Sequence, residues 1–364
     1  MAALKALGKE KGVSFQFQGV GGENMQRQGM EEILPFSDFS IMGFFLNIKK
    51  IGKLYRHARF LDQFLRQEKP DLLITIDFPG FNFHLGRRLK GSGIPHLHYG
   101  APTVWAWKPW RAKRIAQFLD HLLVLFPFEP PYFERHGLAT TFVGHSLMEE
   151  PLVEGNGKEF LSRQGLKPLT PILLILPGSR EKELKTLLPI FQKTTLLLKA
   201  QGRKFHIVIP TLESIKSFIP LEGWGGDVTI VTDLETKRDA YEAATIALAA
   251  SGTIALELAL ARVPMVITYR VGHVTAFLLR LLLKTPYACM INILLKRLVV
   301  PEFLQNQCSS RNLSHALYSL LSSELARDKQ KRAFERVEKM LTPPQGTPSQ
   351  NAACVVMEVL ERRR

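Results

Sequence analysis

Leu174-Ile175-Leu176-Pro177-Gly178-Ser179-Arg180-Glu181-Lys182-Glu183 is an uncharged apolar run that breaks at Pro-Gly-Ser and continues into a charged, helix-forming stretch. A short strand without polar alternation is one buried on both faces, which is the habit of a parallel sheet. Its exit therefore lies at the carboxyl edge of such a sheet, where open α/β folds bind ligands. The free N–H groups at a helix start favour a phosphate oxygen there, and Arg180 adds a forked cation. The alternative is an ordinary βα turn in which Arg180 pairs with an acid. A Walker A loop is excluded, because the G-x-x-x-x-G-K-[ST] spacing is absent.

Downstream, Ala249-Ala250-Ser251-Gly252-Thr253-Ile254-Ala255-Leu256-Glu257 repeats the pattern. Ser251 and Thr253 offer hydroxyls, and Gly252 lets a ligand approach the backbone. Glu257 lies one helical turn further in, placed either to accept from a ribose diol or to favour the helix dipole. Two such turns at strand ends of one domain suit a nucleotide diphosphate. Strands are expected at 172–176, 205–209, 228–231, 246–249 and 265–269. The intervening helices fall near 181–200, 237–244 and 254–261, which makes a second Rossmann-like series. Helical periods follow at 313–340 and 351–364, interrupted by Pro343, Pro344 and Pro348.

Upstream, Asp71–Ile76, Ile94–Tyr99 and His121–Phe126 read as strands alternating with helices near 82–91 and 113–118. Weak periodicity and a cluster of Gly and Pro from Pro151 to Pro171 mark the junction between the two series. In Ile76-Asp77-Phe78-Pro79-Gly80-Phe81-Asn82 a carboxylate stands at a strand tip before a helix that Asn82 is placed to cap. Asp77 is positioned to take a proton from a hydroxyl nucleophile, or else to cap the helix or bind Arg111. The segment His98–Trp107 joins aromatic bulk to a proline turn, either lining a sugar or acyl site or serving domain packing. His96 and His98 have no third partner at metal-ligand spacing, and no G-x-S-x-G elbow favours a hydrolase.

With 364 residues, 46% hydrophobic and 22% charged, the chain has the size for two domains and the composition of a folded protein. Cys289, Cys308 and Cys354 are scattered, which argues against disulfides and cysteine-bound zinc and fits a reducing cytoplasm. No secretory signal opens the sequence, and no uncharged run reaches the roughly 20 residues of a membrane span. The net charge of +15 suits nucleic acid, an anionic membrane or a polyanionic substrate. Lys49, Lys50, Lys53, Arg56, His57 and Arg59 directly follow the apolar run Ile41–Leu46. Apolar insertion beside a basic rim favours a lipid headgroup region over a duplex, so no nucleic-acid partner is expected.

Taken together these residues resemble the lipid-A-disaccharide synthase family of inverting glycosyltransferases. The resemblance runs through Gly19-Val20-Gly21-Gly22, Met42-Gly43-Phe44, Ile76–Asn82, Pro102 with Trp105-Ala106-Trp107, Phe126-Pro127-Phe128-Glu129 and Val143-Gly144-His145. It continues through Leu176–Arg180, Ser251-Gly252-Thr253 with Glu257, Pro264-Met265-Val266, Tyr269-Arg270, Asn292 and Val299–Gln305. It implies a GT-B fold of two Rossmann-like domains with parallel sheets facing a central cleft: an acceptor- and membrane-side domain over 1–160, a nucleotide-sugar domain over 161–335, and C-terminal helices over 336–364 packing back on the first.

The resemblance further implies transfer of a diacylated glucosamine from its UDP derivative to the 6-hydroxyl of diacylglucosamine 1-phosphate, with no metal or other cofactor. Gly178, Ser179, Arg180, Ser251, Gly252, Thr253 and Glu257 would hold the nucleotide and Asp77 would be the base. Gly21, Gly22, Asn82, Trp105, His145, Asn292 and Arg297 would belong to the acceptor or sugar site. The leucine-rich stretch Val271–Leu298 and the run Ile41–Leu46 would meet an anionic inner-membrane surface from the cytoplasmic side, or else be core.

The sequence departs from the family at Gly100-Ala101, at Ser146, and at Lys296 where glycine is usual. It also lacks, as written, the family's first strand and its G-E-x-S-G-D loop, which would leave strand edges unpaired. Alternative readings are another two-domain UDP-sugar enzyme, such as a 2-epimerase or cell-wall glucosaminyltransferase, or an inactive basic membrane-binding relative.

Overall fold

The computed structural model describes residues 1–40, 48–149, 155–272 and 285–362. The apolar run Ile41–Leu46 and residues 273–284 of the leucine-rich stretch lie outside the described residues. The chain divides into two compact units, Met1–Glu149 with Leu341–Arg364, and Glu150–Met340.

The first unit carries α1 (Ala2–Glu10), α2 (Ile48–Glu68), α3 (Pro79–Arg88), α4 (Arg111–Ile115) and α5 (Pro130–Glu134) around parallel strands. Strands β3 (Leu73–Ile76), β4 (His96–Tyr99), β5 (His121–Val124) and β6 (Ala139–Phe142) pair in sequence order. A separate parallel pair is formed by β1 (Phe17–Gly19) and β2 (Met30–Glu32). Both sheets feed the same two cores. Phe17 packs with Leu97 and Leu123 beside the C-terminal helix Pro348–Glu361, and Val20 packs with Leu73, Phe81 and Leu85.

Among the described residues β1 and β3 have no strand on their second edge. Leu73 and Asp77 turn their N–H groups to β4, so Ile74 and Ile76 present theirs to the open side. These two residues are 36% and 47% exposed, unusual for a strand followed by a helical crossover.

Pro79 opens α3 because its missing N–H is one the first turn leaves unbonded anyway. Asn82 was expected to cap this helix but lies inside it, its amide donating back to the Ile76 and Asp77 carbonyls. Pro348 is likewise a start rather than a break. Thr347 and Gln350 form a capping box around it, and Pro343 packs against Gly144. His145 N–H donates to the Leu341 carbonyl, tying the returning C-terminal segment to the first unit.

The second unit is one six-stranded parallel sheet of order β12-β11-β10-β7-β8-β9. Its strands are β7 (Ile172–Leu176), β8 (His206–Pro210), β9 (Val228–Val231), β10 (Ile246–Ala250), β11 (Met265–Tyr269) and β12 (Glu302–Leu304). The order reverses between β7 and β10, which makes their exits the topological switch point. The helices are α6 (Gly157–Arg163), α7 (Glu181–Ala200), α8 (Leu234–Ala243), α9 (Ile254–Leu260), α10 (Met290–Leu295) and α11 (Ser310–Ser322).

Helix α6 sits where the sequence shows only weak periodicity. Gly157 explains why: a Cβ there would come 2.8 Å from the Ala243 nitrogen, so contact with α8 rests on glycine rather than on an apolar stripe. Asn156 caps α6 through Glu159 N–H.

Candidate functional site

The exits of β7 and β10 are neighbours, since Leu176 is in register with Ala249. After β7, Gly178 takes φ +109°, and an added Cβ would meet a Glu183 carboxylate oxygen at 2.3 Å. Only glycine permits that turn. Arg180 is the extended residue before α7, and its guanidinium donates to Glu183 at 3.1 Å. The acid partner foreseen as the alternative for Arg180 is therefore present, and Arg180 still stands largely in solvent at the helix start. Tyr269, at the end of β11, has its phenol pushed up by burial and by the nearby Glu183.

After β10, the Ser251 N–H donates to the Thr268 carbonyl and its hydroxyl donates to the Ala288 carbonyl at 3.0 Å. Gly252 faces open space, and Thr253 begins α9 without a side-chain cap. Glu257 on α9 accepts from the Lys237 ammonium of α8 at 2.8 Å. Lys237 also stands 5.3 Å over the ring of Tyr241, whose buried hydroxyl has no partner among the described residues. Sequence reasoning missed Lys237, because the only signal was a cation opening a predicted helix, and nothing local says which helix it will face.

Ser251 connects this edge to the 288–302 segment. Glu302, the first residue of β12, accepts from Ala288 and Cys289 N–H at 3.0 and 2.7 Å, and burial pushes its carboxyl up. Asn292 is fully buried, donating to the Val300 carbonyl and accepting from Val299 and Val300 N–H. It shapes the loop that carries exposed Arg297. Lys296, where the resembled family has glycine, takes φ +53° at the end of α10. Here too a left-handed residue ends the helix.

In the first unit Asp77 is exposed at the tip of β3, its N–H donating to Tyr99 at 2.8 Å. Asp77 and Phe78 both lie in the left-handed region, at φ +47° and +48°. Consecutive non-glycine residues there store strain of order 1–3 kcal/mol each and are a mark of functional turns. Asn82 locks that turn through the two carbonyls named above, and Gly100 at φ +92° passes within 3.9 Å of Asp77 Cα if given a Cβ. Behind it, Thr75 bonds His96 at 2.8 Å and His98 at 2.7 Å. The two histidines are thus a buried clamp between β3 and β4, their ring pKa values lowered by burial to about 4 and about 3.

Trp105 and His145 meet the same loop. Trp105 donates to Glu129 at 3.2 Å and packs edge-on against Phe128, while the His145 ring lies 5.4 Å from Phe126. Phe126 and Phe128 stack on one another. Glu129 also accepts from Leu125 and Phe126 N–H, and burial raises its carboxyl to about 7. His145 takes the Leu147 N–H on Nδ1, and burial lowers its ring to about 4. Gly21 packs so closely on Met25 that a Cβ would come 2.4 Å from its sulfur, and Gly22 precedes the short helix Glu23–Arg27. Val20 shares a core with Phe78, which sets this turn near the Asp77 turn.

Among the described residues no group of His, Cys, Asp and Glu could hold a metal ion, and no helix is long and apolar enough to cross a membrane.

Residues 2–356 match the family described as lipid-A-disaccharide synthetase. The chain is 40% identical over 349 residues to a lipid-A-disaccharide synthase of Gluconobacter oxydans (strain 621H), covering 95% of this chain and 84% of that protein. It is also 40% identical over 353 residues to one from Rhodospirillum centenum (strain ATCC 51521 / SW), covering 96% and 88%. Among solved structures, UDP-GlcNAc 2-epimerase from Neisseria meningitidis bound to UDP-GlcNAc superposes with TM-score 0.62 at 13% identity, covering 99% of this chain and 95% of that one. MurG of Acinetobacter baumannii superposes with TM-score 0.58 at 13% identity, covering 98% and 94%. These superpositions show the fold, two Rossmann-like units of GT-B type.

Proposed function

Because the chain belongs to the lipid-A-disaccharide synthetase family, we propose a residue-level account of the glycosyl transfer that family performs. The protein is a glycosyltransferase of lipid A biosynthesis that forms the lipid A disaccharide. Its donor in this reading is UDP-2,3-diacylglucosamine and its acceptor 2,3-diacylglucosamine 1-phosphate, joined through a β-1,6 bond with release of UDP. The observation that supports the donor assignment is the adjacency of the two hydroxyl-and-glycine turns at the β7 and β10 exits.

The diphosphate lies on the Gly178-Ser179-Arg180 turn, where the N–H groups of the α7 start and the Arg180 guanidinium offset the charge of the departing UDP. Gly252 and Thr253 present backbone and hydroxyl donors beside it, and Ser251 holds that turn in place through its bonds to the Thr268 and Ala288 carbonyls. Glu257 accepts from the ribose diol with Lys237 holding its carboxylate. Asp77 removes the proton of the acceptor 6-hydroxyl as its oxygen attacks the anomeric carbon, and the bond to UDP breaks with inversion. The strained, exposed turn keeps that carboxylate clear of the strand. Gly21, Gly22, Asn82, Trp105 and His145 shape the acceptor side, and Asn292 sets the loop that points Arg297 at the sugar. Both substrates carry acyl chains, so the enzyme works at the anionic inner face of the inner membrane.

The test is a mass-detected assay of the two diacyl substrates in detergent micelles, with UDP-GlcNAc epimerisation as the control reaction. Asp77→Ala should lower kcat by about 10²- to 10⁴-fold, the usual worth of a positioned base. Arg180→Ala should lower kcat/KM for the donor by about 10²-fold. Unchanged rates in both variants would overturn the assignment.

A further inference from the structure

Between Asp77 and Asp120 the sequence contains no acidic residue, while Arg87, Arg88, Lys90, Lys108, Arg111, Lys113 and Arg114 all fall there. The last four cluster on and just before α4, together with two tryptophans. Lys108 Nζ stands 4.5 Å from the Trp107 ring centroid, and the Arg114 guanidinium stands 4.5 Å from that of Trp110. Trp110 is 52% exposed, a large apolar ring held in solvent by a helix whose Ala112 and Ile115 are buried to 0% and 2%. The adjoining helix α5 sits on the same core through Phe133 and adds a third pair, Arg135 5.4 Å over Tyr132, with Glu134 as its acid.

From this we infer that the outer face of α4, with Trp110, Lys113 and Arg114 at its centre, is a docking surface for an anionic lipid bilayer. It deepens the membrane reading above and rests on it. Indole rings settle at the boundary between headgroups and acyl chains, where the ring is apolar and its N–H still finds an acceptor. Bases around them are drawn to an anionic surface within a Debye length of it. A nucleic-acid strand is the competing polyanion. Platforms for single strands leave aromatic faces bare for successive bases, whereas each indole here already carries one of the protein's own cations over a face. The buried anchors Ala112 and Ile115 make the patch a fixed feature of the first unit, one that stands apart from Asp77 and the phosphate turns in sequence.

Flotation of the full-length protein with vesicles of phosphatidylglycerol and phosphatidylethanolamine tests this, with pure phosphatidylcholine vesicles as reference. The wild type should float with the anionic vesicles and lose that partition at high salt. Trp110→Ser and the pair Lys113→Glu with Arg114→Glu should each weaken partition at least 10-fold, and Trp110→Phe should restore most of it. All variants should retain wild-type kcat on micellar substrates, which also reports that they fold. Unchanged partition of the Trp110→Ser and double-charge variants overturns the inference while leaving the membrane reading standing. A wild type that does not float overturns both, and the micellar assay still judges the glycosyl transfer separately. Variants that lose oligonucleotide binding but keep vesicle binding would also overturn it.

Discussion

Glu129 is an acid whose chemistry is strongly altered by its surroundings. It is 2% exposed, and burial lifts its carboxyl to about 7 despite three N–H groups that favour the ionised form. An acid with a raised folded-state pKa contributes stability that is whole below its unfolded value near 4.5 and is lost as pH rises to about 7. The loss is on the order of 3 kcal/mol, from 1.36 kcal/mol per unit. Glu129→Gln does not titrate, so its stability relative to wild type should improve steadily from pH 4.5 to 7 and then level. Denaturant unfolding of both proteins across that range checks it. His96, His98 and His145 act in the opposite sense. Each is buried neutral with a lowered pKa, so their stability is present above pH 6.5 and is lost on acidification toward 3 to 4. Subtracting the variant from the wild type isolates Glu129 from this background.

At the scale of elements, helix ends decide most of the candidate site, and two of them carry a testable cost. Lys296 ends α10 at φ +53°, a conformation that costs a side-chain-bearing residue roughly 1–2 kcal/mol. Lys296→Gly should therefore raise stability by about 1 kcal/mol, the larger backbone entropy of glycine taking back part of the relief, as read by urea midpoint at constant m. The Lys237–Glu257 bond joins α8 to α9 with both groups only partly exposed. If Lys237 aims Glu257 at the ribose, Lys237→Met should raise the donor KM about 10-fold, equivalent to about 1.4 kcal/mol, with kcat held. Lys237→Arg should restore it. A purely structural bridge would instead lower the melting temperature and leave KM alone. Asp77 shows how much of an element's end is legible: its place at a strand tip is plain from the sequence. The paired left-handed turn around it is not, because Asp and Phe have no covalent reason to adopt φ > 0 and are held there by Asn82 and the β4 exit.

Across the whole molecule the larger sheets of the two units differ in completeness. The central strands β7 and β10 of the second unit are buried at every position and paired on both edges, while β3 of the first unit pairs on one edge only among the described residues. Hydrogen exchange should show it: the amides of Ile74 and Ile76 should exchange orders of magnitude faster than those of Ile175 and Leu248, whose strands are paired on both sides. Comparable protection at both places would mean that another segment pairs with β3.

The sequence by itself determined the alternation of buried strands and helices, the glycine and hydroxyl turns at their exits and the family resemblance. These are local properties, written in hydrophobic period and in the few residues that tolerate tight turns. Only the tertiary structure decided which strand exits adjoin, that Lys237 reaches Glu257 and that Asn292 is spent on its own loop. Each depends on contacts between residues far apart in the chain, whose energy is fixed by packing and hydrogen-bond satisfaction in three dimensions rather than by neighbours in sequence.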